Sequence, residues 1–183
     1  MRNAKRTTPH EIRHASHADI AEIATQFVRD CRAGDYPGSI GAETATSYFS
    51  HLVDHQTEPR IGTATRCYAL DDDQGLAGFA VVRLSSIQFR FLERDLEELW
   101  HFSVLSRCRG RQVGSALLGG ILDTSDLSLI AECPSASARA LGMFDRRDFE
   151  RLPHRRPGLA LLFRGTPLDV ANMQDCFRVK RPA

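Results

Sequence analysis

"SVLSRCRGRQVGSALLGGILD", residues 103–123, is the stretch on which the reading of the chain turns. An apolar run ends at Leu105. A turn carrying Arg107, Arg109, Gly110 and Arg111 follows, and the apolar spacing then becomes helical. A strand that passes through such a turn into a helix leaves backbone N–H groups free, and the helix dipole adds partial positive charge there. Gly110 and Gly114 let the main chain approach an anion with no Cβ in the way. Arg109 and Arg111 add full charges. The combination suits a diphosphate. Neither the GxxxxGK[ST] loop nor the GxGxxG fingerprint is present. A solvated turn would show the same arginines, so the surrounding chain has to arbitrate. A nucleic-acid stripe fits less well, because aromatics do not interleave with the arginines.

Working outward, "GRQVGSALLGGILDTS" (110–125) is a helix with Val113, Ala116, Leu117, Gly120 and Ile121 on one face. Each glycine inside it costs roughly 1 kcal/mol against alanine, a penalty that close helix–sheet packing would explain. Upstream, "LEELWHFSVL" (96–105) is a strand. Downstream, "LSLIAECP" (127–134) is a continuous apolar strand of the kind buried on both faces, ended by Pro134. "TRCYALDDD" (65–73) and "GLAGFAVVRLS" (75–85) form an antiparallel hairpin. The connection 86–95, "SIQFRFLERD", is long and apolar for a loop, and suits strand extensions or a flap beside a ligand site.

Toward the N-terminus, "EIRHA" (11–15) is a short strand. "SHADIAEIATQFVRDC" (16–31) is a helix, with Ser16 as N-cap and Asp19 at capping-box spacing. "GDYPGSIG" (34–41) breaks it, and "AETATSYFSHLVDHQ" (42–56) is a second helix. After the central region, "SASARALGMFDRRD" (135–148) is a last helix, and "FERL" and "GLALLFRG" are closing strands. The order is β-α-α-β-β-β-α-β-α-β-β. That is an α/β class with a mixed central sheet flanked by helices. One domain over 11–165 is expected, with a flexible N-terminus over 1–10 and a C-terminal tail over 166–183.

Composition narrows the function classes. A chain of 183 residues can bury a real core. A net charge of +1 supplies no bulk field toward nucleic acid or an anionic membrane. The five cysteines are far apart and contain no CxxC pair, which argues against a disulfide framework or a metal site. The opening "MRNAKRTTPHEIRH" has no apolar core of a secretion signal, and no apolar run approaches ~20 residues. A cytoplasmic setting is expected.

The strand–"RGRQVGSALL"–helix unit resembles motif A of the GNAT N-acetyltransferases, Arg/Gln-x-x-Gly-x-Gly/Ala. Arg109 matches the first position and Gly114 the last, while Gln112 stands where the middle glycine would be. The element order is similar too, so the resemblance covers residues 11–165. It implies the GNAT acyl-CoA N-acyltransferase fold, acetyl-CoA as co-substrate, no metal, and direct transfer of the acetyl group to a primary amine. It implies that Arg109, Gly110, Arg111, Gln112, Val113, Gly114 and Ser115 hold the diphosphate. Phe102, Ser103 and Val104 would offer backbone groups to the pantetheine arm. In the last helix, Ser137 falls at the family's Asn, Phe144 at its Tyr and Asp148 at its Gly, which sets Ser137 and Phe144 beside the cofactor. Phe144 has no hydroxyl to act as an acid. Either Ser135, Ser137 or Cys133 serves instead, or the thiolate leaves unassisted.

Acyl transfer to an amine requires that a proton be removed from it. Glu98 is the candidate base. Strand periodicity sets Glu98, Trp100, Phe102 and Val104 on one face unless a bulge intervenes, and an acid beside Trp and Phe would be partly desolvated. Glu97, on the other face, is the weaker choice, and His101 is a base by residue type. The basic stretch 146–158, "RRDFERLPHRRPG", is available to an anionic acceptor or to the CoA 3′-phosphate, or is a solvated hairpin. A small-molecule amine is the expected acceptor, entering between the first two helices and the 86–95 connection. Two other readings stand beside this one. A non-catalytic acyl-CoA-binding module or sensor is favoured by Gln112 and Phe144. A transferase acting on a protein or an aminoacyl-tRNA is the other, and near-neutral charge argues against the tRNA case. No nucleic-acid or membrane partner is expected, and the segment after residue 165 is available to form a homodimer.

Overall fold

Residues 12–36, 39–56, 65–85, 96–153, 156–166 and 169–172 are described in a computed structural model. The 1–10 segment, the 86–95 connection, Cys176 and most of the tail lie outside them. Seven strands and four helices follow in the expected order: β1 (Ile12–His14), α1 (Ile20–Ala33), α2 (Ala42–His55), β2 (Arg66–Asp72), β3 (Gly75–Leu84), β4 (Leu96–Val104), α3 (Val113–Asp123), β5 (Ser128–Pro134), α4 (Ala138–Asp145), β6 (Glu150–Leu152) and β7 (Leu159–Arg164). The strands make one sheet in the order β1-β2-β3-β4-β5-β7-β6. All neighbours are antiparallel except β4 and β5, which α3 joins as a parallel pair.

Local chemistry explains the elements. Before α1, the Asp19 carboxylate accepts both the Ser16 N–H (2.7 Å) and the Ser16 hydroxyl (2.8 Å), as the capping-box spacing predicts. Gly34, at φ 84, closes α1 in the left-handed conformation. The β2–β3 hairpin turns at Asp73–Gln74, where the Asp72 carboxylate accepts the Gln74 N–H.

Alternation along β3 and β4 sorts the core into two layers. Phe79, Val81, His101 and Ser103 face α1 and α2, where Phe27 and Phe49 pack against them. Gly78, Phe102 and Val104 face α3 and α4. A Cβ at Gly120 would lie 2.4 Å from Ile12 Cγ2, so α3 rests on β1 with no room for a methyl group. That is the close packing its glycines foretell.

The pairing of β3 with β4 corrects one expectation. Val81 pairs with His101 but Val82 pairs with Leu99, so Trp100 is an extra residue in a β-bulge. The bulge reverses the faces below it. Glu98 shares a face with His101 and Ser103, opposite Phe102 and Val104. Glu97 turns to the Phe102 face, where it is buried, ion-paired with Arg66 and bonded by the Ser125 hydroxyl at 2.6 Å.

Candidate functional site

The parallel pairing of β4 with β5 runs only from Leu96/Ser128 to Leu99/Ala131. Beyond it the strands part, and the gap opens a cavity of about 760 Å³. The Leu105 N–H reaches Ala77 O on β3 at 2.9 Å. By alternation, the N–H and C=O groups of Phe102 and Val104 point the other way, into the gap that β5 has left.

The 105–112 turn forms one end of this cavity. A short 3₁₀ turn over Ser106–Cys108 is followed by Gly110 at φ 81 and Gln112 at φ 65, ψ 5. The first backbone bond of α3 runs from Ala116 N–H to Gln112 O, so the amides ahead of it belong to the unpaired first turn. Gly114 is where this turn presses on the cavity wall. A Cβ there would meet Met143 Sδ at 3.2 Å, Val104 Cγ2 at 3.4 Å and Phe102 Cε1 at 3.6 Å.

Of the residues expected around the cofactor, Phe102, Ser103 and Val104 from β4, Arg109 to Ser115 except Arg111 from the turn and the start of α3, Ser137 at the N-cap of α4 and Phe144 within it all line this one cavity. Arg111 does not line it. Phe144 is buried, with its ring 6.4 Å from Phe102 and 4.9 Å from Phe149. Gln112 and Asp148 are the two positions where the resemblance wants glycine. Among the described residues they are also the two non-glycine residues at positive φ, 65° and 61°. The backbone keeps the glycine conformation although the side chains do not.

Glu98 is outside the cavity lining. Its carboxylate accepts two N–H bonds from Arg83, at 3.0 and 3.1 Å, and the Arg83 guanidinium covers the Trp100 ring. His101 is buried among Phe27, Tyr36, Tyr48, Phe49 and Trp100, and its Nδ1 has no partner. Burial, with Arg83 adding to it, drives the His101 pKa down to about 3. A ring that holds a proton so weakly is a poor base at neutral pH. In the basic stretch after α4, Arg146 lines the cavity and Arg147 donates to Ser115 O at 3.1 Å. Arg151 and Arg156 are taken up by Asp145 and Glu132, and residues 154 and 155 are outside the described set.

Two cavity residues carried no signal in the sequence. Asp30 on α1 accepts the Ser103 hydroxyl at 2.5 Å and the Gln26 amide at 2.7 Å, and lies 3.8 Å from Arg109. Burial raises its pKa, against the pull of those hydrogen bonds. Tyr36, in the segment after α1, donates to Phe102 O and accepts from Phe102 N–H, both at 2.8 Å. Neither belongs to a local motif. Each reaches β4 only through the packing of α1 on the sheet.

No protein-family model matches the chain, and no curated protein matches its sequence. Solved structures do match its fold. The chain is similar to a ribosomal-protein-alanine N-acetyltransferase from Brucella melitensis, at 19% identity and TM-score 0.63, over 83% of this chain and 96% of that one. It is also similar to a GNAT superfamily phosphinothricin acetyltransferase from Sinorhizobium meliloti in complex with AcCoA, at 18% identity and TM-score 0.66, over 87% and 91%. A third is a ribosomal-protein-S5-alanine acetyltransferase from Vibrio fischeri, at 13% identity and TM-score 0.64, over 88% and 96%. The chain has the fold of these acetyltransferases.

Proposed function

We propose that this chain, folded as a GNAT acetyltransferase, transfers an acetyl group from acetyl-CoA to a primary amine. The observation that carries the reading is the parting of β4 from β5 directly ahead of the glycine–arginine turn. An acyl-CoA needs an open strand edge for its amide-bearing arm and a cluster of N–H donors with positive charge for its diphosphate. The cavity offers both at adjoining positions, and its volume is within the range of small-molecule sites.

In this reading the amides at the start of α3 and Arg109 hold the diphosphate, and the arm pairs with Val104 and with the Phe102 carbonyl once the Tyr36 proton turns away from it. Arg111 acts on the diphosphate from outside the cavity. Ser137 and Phe144 form the opposite wall. Glu98 takes the amine's proton from the α1–α2 face of β4, with Arg83 orienting its carboxylate. The chain supplies no hydroxyl at Phe144, so the sulfur leaves as thiolate, which its modest pKa permits. A small amine is the acceptor we favour, because the cavity volume suits a small-molecule site.

The test is calorimetric titration with acetyl-CoA. Gly114→Glu puts bulk and negative charge at the wall between Val104 and Met143, and is expected to abolish binding that wild type shows. Micromolar affinity retained by the variant would remove the turn from the cofactor site. Thiol release is then followed across a panel of amines. Glu98→Gln is expected to lower kcat at neutral pH and to matter less at high pH, where more of the amine is already neutral. A pH profile identical to wild type would remove Glu98 from the reaction. The second reading, an acyl-CoA-binding module without catalysis, is favoured by the ion pair that occupies Glu98 and by the missing hydroxyl at Phe144. Tight acetyl-CoA binding with no thiol release from any amine would establish it.

A further inference from the structure

Tyr36 lies 66 residues from Phe102 in the chain, yet its hydroxyl makes two 2.8 Å bonds to that residue's main chain. Those groups are on the open edge of β4, two residues past the bulge at Trp100. The ring is fixed by Phe27 at 5.5 Å and His101 at 5.0 Å. The phenol therefore cannot swing far, but its O–H proton is a free rotor. While the oxygen keeps the Phe102 N–H bond, the proton can turn from Phe102 O to any acceptor in the gap.

We propose that Tyr36 is a catalytic residue, whose O–H donates a hydrogen bond to the thioester oxygen of bound acetyl-CoA. The proposal rests on the acetyl-CoA reading above. The amine nitrogen forms its bond to the carbonyl carbon, and the π pair moves onto the oxygen, which Tyr36 stabilises. On collapse the C–S bond breaks and its pair leaves on sulfur, while the amine proton goes to base or solvent. The Tyr36 proton is not transferred. Burial raises the phenol well above its ordinary value, whereas an alkyl thiol titrates near ~8.5, so Tyr36 stays a donor and the sulfur leaves without its proton. Phe102 N–H, donating into the same phenol oxygen, strengthens the O–H as a donor. On the same strand the Ser103 hydroxyl already donates to Asp30.

The experiment is isotope-edited infrared spectroscopy of acetyl-CoA labelled with ¹³C at the thioester carbonyl, bound to wild type and to Tyr36→Phe. Wild type is expected to lower the carbonyl stretch relative to free acetyl-CoA. Tyr36→Phe is expected to return it toward the free value while calorimetry shows the Kd within about threefold of wild type. Incorporation of 3,5-difluorotyrosine at position 36, a stronger donor of nearly the same shape, is expected to lower the stretch further and serves if the phenylalanine variant fails to fold. An unchanged stretch in these proteins overturns the proposal. So does tighter binding by Tyr36→Phe with no spectral change, which would make Tyr36 only a competitor for the Phe102 main chain. Failure of wild type itself to bind acetyl-CoA overturns the cofactor reading instead, and this proposal with it.

Discussion

Gln112 and Asp148 show how a single residue can keep a backbone that its side chain resists. Both sit at positive φ, where a non-glycine residue bears about 1–2 kcal/mol of steric strain. Replacing either by glycine relieves that strain and adds back roughly 0.5–1 kcal/mol of unfolded-chain entropy. Gln112→Gly is expected to stabilise by up to about 1 kcal/mol, raising the melting temperature by up to about 4 °C. Asp148→Gly should gain less, since Asp tolerates the left-handed region better than Gln. Equal or negative shifts at both positions would mean that side-chain contacts, not backbone strain, set these residues. The same conformations explain why the glycine motif was readable despite its broken letters, because the backbone here takes the glycine dihedral while the sequence displays only a side chain.

At the scale of an element, α3 shows packing overriding propensity. Gly120→Ala alone brings a gain of about 1 kcal/mol in helix propensity. The new Cβ would fall 2.4 Å from Ile12, and overpacking of this kind costs about 1–3 kcal/mol. The clash wins, so a net loss in urea denaturation is expected. In an Ile12→Ala background the clash is gone and the sign should reverse, with Gly120→Ala then stabilising. A substitution with the same effect in both backgrounds would show that α3 does not rest on β1 in solution. The helix itself was legible from its apolar spacing. β4 was legible as a strand, but the face of each residue was not. Period-two alternation assumes an unbroken ladder, and the bulge at Trp100 exchanges Glu97 with Glu98 across the sheet.

For the whole molecule, two buried titrating groups shape the acid limb of stability. Asp19, held by Arg13, is lowered to about 2 from 3.8. Its contribution is full above pH 4 and is lost as pH falls toward 2. His101 is lowered to about 3 from 6.5. The unfolded chain therefore binds this proton first, and stability falls as pH drops from 6.5 toward 3, at no more than ~1.4 kcal/mol per pH unit. Asp30, raised by burial, works in the opposite direction, so the wild-type curve alone does not separate them. The difference between wild type and His101→Phe does. The variant is expected to lose the decline between pH 6.5 and 4.5 and to keep the one below 4. Parallel curves over the whole range would show that His101 is not buried neutral.

The chain by itself determined what depends on near neighbours: the alternation and spacing that make seven strands and four helices, the Ser16–Asp19 cap, the hairpin at 73–74, and the turn that begins α3. Tertiary structure alone decided what depends on register and approach. The bulge arises from pairing with β3, the cavity from β5 leaving β4 after Leu99, and the meeting of Asp30 and Tyr36 with β4 from the seating of α1. Periodicity is written within a few residues and survives in a string of letters. Which edge of a strand stays unpaired, and which distant hydroxyl reaches it, follows only from how the elements share one core.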